Sequence, residues 1–119
     1  MRKLLLFAFL FALPCFGQTV KGVINTTECV QIATDQKATV YLQVTGGWSG
    51  TIQPKVTIDG QAYVNVQVTP STSSTAQNTI TANGAYFANV AGYSLFTVCG
   101  ATVATAPANV FLNTSPAAR

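Results

Sequence analysis

Residues 37 to 69 read KATVYLQVTGGWSGTIQPKVTIDGQAYVNVQVT, and a period of two runs through them. In the segment from Lys37 to Thr45, Val40, Leu42 and Val44 share one face while Thr39, Tyr41, Gln43 and Thr45 share the other. That is the pattern of a half-buried antiparallel strand. From 51 to 59, Ile52, Val56 and Ile58 fall inward and Gln53, Lys55 and Thr57 outward. Pro54 has inward parity but no N–H, which predicts an edge position or a bulge. From 61 to 69, Ala62, Val64, Val66 and Val68 fall inward and Tyr63, Asn65 and Gln67 outward. Asp59-Gly60 between these runs suits a type I′ turn, whose two central residues both need positive φ. The expectation is one β-hairpin over residues 51 to 69.

Strand patterns continue on either side. Upstream they cover residues 20 to 24 and 29 to 33; downstream they cover 79 to 82, 85 to 90, 93 to 99, 101 to 106 and 109 to 113. Asn83-Gly84, Ala91-Gly92, Gly100 and Pro107 punctuate them, and the polar run from 70 to 78 reads as a surface loop. No stretch carries a helical period. About nine short strands with turn signals between them predict an all-β fold, an antiparallel two-sheet β-sandwich of Ig-like or jelly-roll-like order. Serine and threonine, close to a quarter of residues 18 to 119, supply polar outer faces without charge.

The N-terminal segment reads as an address. Arg2 and Lys3 precede an unbroken apolar run, LLLFAFLFAL, from Leu4 to Leu13, bounded by Pro14. That is the layout of a secretory signal peptide. The run is too short for a helix across a bilayer core of about 30 Å. Gly17 suits the position before a cleavage site, so residues 1 to 17 are expected to be a signal peptide and 18 to 119 a single exported domain with no stable membrane span. Cys15 lacks the small-residue context of a lipid-modified cysteine.

The 119 residues hold three acids, Glu28, Asp35 and Asp59, six bases and no histidine. A Ser-His-Asp hydrolase and a histidine-ligated metal site are excluded, and the carboxylates are too few for an oxygen cage. No enzymatic activity, metal or cofactor is expected. Without residues 1 to 17 only Lys21, Lys37, Lys55 and Arg119 face the three acids, leaving a net charge of +1. Four scattered cations make no nucleic-acid-binding stripe.

Cys29 and Cys99 stand near the two ends of the expected domain, and an exported chain is free to oxidise them. They read either as a structural disulfide closing a long loop or as two separate buried thiols.

Two motifs carry a resemblance. Gly46-Gly47-Trp48-Ser49-Gly50-Thr51-Ile52 precedes Asp59-Gly60, and Asn83-Gly84-Ala85-Tyr86-Phe87-Ala88-Asn89-Val90-Ala91-Gly92-Tyr93 follows, with a C-terminal strand ending Ser115-Pro116-Ala117-Ala118-Arg119. Over residues 28 to 119 the chain resembles small β-sandwich proteins and modules of tailed bacteriophages and prophages, marked by GxWxGTI…DG and NGxYxxNVAGY, mostly regarded as uncharacterised virion or tail-associated components. Pro54-Lys55-Val56-Thr57-Ile58 departs from the family's acidic and aromatic stretch before Asp-Gly. Leu95-Phe96-Thr97-Val98-Cys99 departs from its arginine-bearing strand. The signal peptide departs from the cytoplasmic assembly of tail parts. The resemblance implies a structural or interaction module of virion-accessory type, with a virion or cell-envelope protein as partner and a homo-oligomer left open.

The residues themselves leave a second reading open, a secreted carbohydrate-binding module for neutral surface glycans. Trp48, set among small neighbours, would be either a stacking platform or a plug at the end of the fold. Tyr41 and Tyr63, outward by parity, would extend the platform, with Gln43, Asn65 and Gln67 as hydrogen-bonding partners.

Overall fold

A computed structural model describes residues 18 to 116. The expected signal peptide, residues 1 to 17, lies outside the described residues, as does Arg119. Nine strands follow in chain order: β1 (Thr19–Ile24), β2 (Cys29–Ala33), β3 (Lys37–Thr45), β4 (Ile52–Thr57), β5 (Val64–Asn65), β6 (Thr69–Pro70), β7 (Gly84–Asn89), β8 (Leu95–Gly100) and β9 (Ala108–Pro116). They form two antiparallel sheets, one of five strands in the order β1-β9-β3-β7-β6 and one of four in the order β2-β8-β4-β5.

Alternation drives the packing. Val40, Leu42 and Val44 of β3, and Val110 and Leu112 of β9, meet Val30 and Ile32 of β2, Ile52 and Val56 of β4, and Phe96 and Val98 of β8 in one apolar cluster. Both sheets supply it, so neither face can be stripped from the other without exposing the core.

The stretch from 51 to 69 departs from a simple hairpin. Only Lys55–Asn65 and Val56–Val64 pair, which leaves residues 57 to 63 as a seven-residue loop. No type I′ turn forms: Gly60 has φ of 80°, but Asp59 is not among the residues with positive φ. Instead the Asp59 carboxylate accepts the amides of Gln61 and Ala62, both at 2.9 Å. Thr57, expected outward, is buried; its hydroxyl donates to the Ala62 carbonyl at 2.7 Å and accepts the Gly60 amide at 3.1 Å. Two buried residues in succession, Val56 and Thr57, break the alternation, so Ile58 and Val64, expected inward, stand 70% and 55% exposed. Ala62 is exposed as well.

Pro54 explains where the pairing stops. Val66 N donates to the Pro54 carbonyl at 3.1 Å, but proline has no N–H to return the second bond of that pair. The ladder ends there, and the chain crosses to the other sheet, where Thr69 and Pro70 pair with Phe87 and Tyr86. Pro54 therefore lies on neither an edge strand nor a bulge: β4 runs between β8 and β5, and the proline backbone faces the side where β5 gives out.

Two other expected strands reduce to single bridges. Of residues 79 to 82 only Ile80 pairs, exchanging both backbone bonds with Ile52 at 2.9 Å. In residues 101 to 106 only Ala104 pairs, with Ser49; Thr105, at φ of 75°, turns the chain out of the extended region.

Candidate binding face

The outer face of the five-stranded sheet is assembled by register. Antiparallel pairing sets Thr19, Asn113, Tyr41, Phe87 and Thr69 in one row across the strands. The next row is Lys21, Phe111, Gln43 and Ala85. All have the parity opposite to the core residues of their strands, so they stand on the outside. Tyr41 is 50% exposed, and Phe87 and Phe111 are 39% exposed each. Between β9 and β3 each row sets a ring against an amide: Asn113 faces Tyr41, and Phe111 faces Gln43, while on β7 Phe87 adjoins Tyr41. Ala85 ends the second row with a small side chain beside Phe87. The result is an open hollow of about 410 Å³ lined by Tyr41, Gln43, Ala85, Phe87, Phe111 and Asn113, with Thr19 and Ser71 at its margin.

Charge is almost absent from this face. Within the two rows Lys21 is the one cation, and its ammonium stands 5.9 Å from the centre of the Phe111 ring, within reach of a cation–π contact. Glu28 and Asp59 lie in loops elsewhere, each occupied with its own backbone. The amides of Thr26 and Asn25 donate to Glu28, at 2.8 and 2.9 Å, and hold its carboxyl below the usual range. The Ala62 and Gln61 amides, then the Thr57 hydroxyl, do the same to Asp59. Among the described residues no three His, Cys, Asp or Glu side chains gather as they would around a metal ion.

A second hollow, of about 750 Å³, opens where the chain crosses between the sheets, with Thr39, Asn65, Gln67, Thr69 and Asn89 in its wall. Phe87 borders both hollows. Asn65 and Gln67 thus stand across Phe87 from Tyr41 and Gln43.

The other expected platform residues are elsewhere. Trp48 is half-buried against the core, and its Nε1–H donates to Asn83 Oδ1 at 2.7 Å while Asn83 Nδ2 donates to the Gly46 carbonyl at 2.7 Å. This clasp joins the Trp48 loop to the turn before β7. Tyr63 belongs to the outside of the four-stranded sheet, where its hydroxyl donates to Gln31 Oε1 at 3.3 Å beside Lys55, Cys29 and Cys99. Trp48, Tyr41 and Tyr63 therefore do not meet on one surface. Phe87, Phe111 and Asn113 take the places beside Tyr41, and sequence reasoning missed them. Their outward parity is visible within their own strands, but only cross-strand register sets them next to Tyr41.

Cys29 and Cys99 face each other across β2 and β8 and are joined as a disulfide. The Gly100 N to Glu28 O and Thr34 N to Ser94 O bonds fix the ladder's alternation, which makes Cys29–Cys99 a non-hydrogen-bonded pair, where facing side chains stand closest.

No family model and no curated protein matches the sequence. Solved structures do match the fold. The SPBc2 prophage-derived protein YomS superposes with a TM-score of 0.70 over 83% of this chain and 95% of its own, at 9% identity. The PBSX exported protein XepA superposes with a TM-score of 0.72 over 82% of this chain, at 10% identity; the match spans 38% of XepA. At such identities the likeness is one of fold.

Proposed function

We propose that the protein is a non-catalytic interaction module, a β-sandwich of phage or prophage type that is exported and works by surface contact with a virion or cell-envelope component. The observation that carries the reading is the number of large apolar side chains kept outside the core on the two sheets and their loops: Val23, Tyr41, Ile58, Tyr63, Val64, Phe87 and Phe111 are all exposed. A chain with so few charges gains little from electrostatic steering, so its contacts rest on apolar, amide and hydroxyl groups. Likeness in fold to two prophage proteins supports the origin, and one of them, XepA, being an exported protein supports the reading of residues 1 to 17 as a leader cleaved before Gln18.

The test uses the full-length chain, produced for export and recovered from the exported fraction, with its amino terminus located by mass spectrometry. It is then sedimented with cell envelopes and with tailed-phage particles from the cells that make it. Retention in one fraction, lost in Tyr41→Ser or Ile58→Ser variants that melt like the parent, is the expected result. A protein that stays in the supernatant with both, or variants that bind undiminished, would overturn the reading.

A further inference from the structure

We infer that the outer face of the five-stranded sheet, around Tyr41, Phe87 and Phe111, is a binding site for a neutral saccharide chain; this rests on the interaction-module reading and names its ligand. Four observations converge on that ligand class.

The first is the pairing of ring with amide. Tyr41 has Asn113 as its cross-strand neighbour, and Phe111 has Gln43. A pyranose presents an apolar C–H face to an aromatic ring and a rim of hydroxyls around it. Tyr41 and Phe111, each with an amide as its cross-strand neighbour, match both parts at once, and Phe87 adjoins Tyr41 as further stacking surface.

The second is that these amides are available. Four other amides are engaged within the protein: Gln53 donates to the Pro54 and Asn78 carbonyls, Gln67 to Asn78, Gln77 to the Thr79 carbonyl and Asn83 to the Gly46 carbonyl. Gln43 and Asn113 take part in no such bond among the described residues. Each keeps donors and an acceptor for a ligand hydroxyl.

The third is charge. Among the described residues the two rows hold no carboxylate, and their single cation, Lys21, stands 5.9 Å from the centre of the Phe111 ring. Neither an acidic polymer nor a basic peptide finds a complement there, whereas a neutral polyol needs none.

The fourth is shape. Ala85 leaves the second row low, and the hollow of about 410 Å³ lies open to solvent rather than enclosed. The row from Thr19 through Asn113, Tyr41 and Phe87 to Thr69 crosses five strands, about 19 Å at the usual strand spacing, which is the length of a short oligosaccharide. Beyond Phe87 the second hollow offers Asn65 to a longer chain.

The experiment titrates the full exported chain with soluble neutral oligosaccharides of the gluco, manno, galacto and N-acetylglucosamine series. It also repeats the envelope and particle sedimentation before and after periodate, which cleaves the vicinal diols of sugars. Expected are saturable binding by at least one series, weakened about tenfold or more in Tyr41→Ala and again in Phe111→Ala, unchanged in Trp48→Phe, and insensitive to added salt. Periodate should abolish sedimentation. The inference is overturned if no series binds and sedimentation survives periodate. In that case continued loss of sedimentation in Tyr41→Ser would leave the interaction reading standing and make the face a protein contact. Sugar binding that the Tyr41 and Phe111 variants leave intact would also overturn it.

Discussion

Thr57 and Asp59 act as a pair of polar fastenings where a tight turn would otherwise be needed. The loop from 57 to 63 would leave the amides of Gly60, Gln61 and Ala62 without ladder partners, and these two side chains accept all three. Glu28 plays the same part for Asn25 and Thr26. Each carboxylate is stabilised in its charged form by amides that exist in place only when the chain is folded, so both folded pKa values lie below their ordinary ones. A group with a depressed folded pKa contributes its full stabilisation above its unfolded value and loses it as pH falls through the folded value. With no histidine in the chain, the melting temperature is therefore expected to be flat from about pH 5 to 7 and to drop below about pH 4. Differential scanning calorimetry across that range checks it. An Asp59→Asn, Glu28→Gln double variant should start lower and lose less on acidification.

Between elements, the joints are made by residues whose backbone, rather than side chain, is decisive. Gly100 ends β8 where the loop after β1 folds over it; a Cβ there would land on the Thr26 carbonyl and 2.6 Å from Ile24 Cγ2. Because the obstacle is partly backbone, rotamer changes cannot relieve it, and Gly100→Ala is expected to cost about 3 kcal/mol, at the upper end for overpacking. Urea unfolding would register this as a lowered midpoint with unchanged slope. The same distinction explains what could be read in advance. The β2 and β3 strands follow from alternation alone, because β2 has one face on the core over its whole length and β3 from Val40 to Val44. The stretch from 61 to 69 alternates as well as β3 does, yet it changes sheets midway, because Pro54 fails to return a bond to Val66. That failure belongs to the partner strand and leaves no trace in the pattern of the stretch itself. The binding face was legible to the same degree. Tyr41 and Gln43 are marked outward by their own strand, while Phe87, Phe111 and Asn113 join them only through pairings between residues far apart in sequence. Tyr63, equally outward by parity, serves the opposite sheet.

At the scale of the whole molecule, two sheets share one core with little help from charge, so cohesion rests on burial, backbone ladders and the Cys29–Cys99 bond. That bond closes a sequence separation of 70 residues, linking β2 to β8 across all the chain that forms β3 to β7. In the chain-entropy account its effect falls on the unfolded state, which loses about 4 kcal/mol worth of freedom when a loop of this size is closed. Net stability of a domain this size is of order 5–15 kcal/mol, so the bond decides how far from the unfolding threshold the protein sits. The Cys29→Ser, Cys99→Ser double variant should keep the same sheets, because both side chains stand toward the outer face of the four-stranded sheet and fill no core volume. Its melting temperature should fall by on the order of 20 °C. The discriminating measurement is kinetic. A bond acting on the unfolded ensemble changes mainly the refolding rate if β2 and β8 already pair in the transition state, and mainly the unfolding rate if they pair after it. A slower refolding limb with unchanged unfolding would identify the β2–β8 ladder as part of the folding nucleus. The same stability loss confined to unfolding would assign that nucleus to the β1-β9-β3 side, where the longest strands meet.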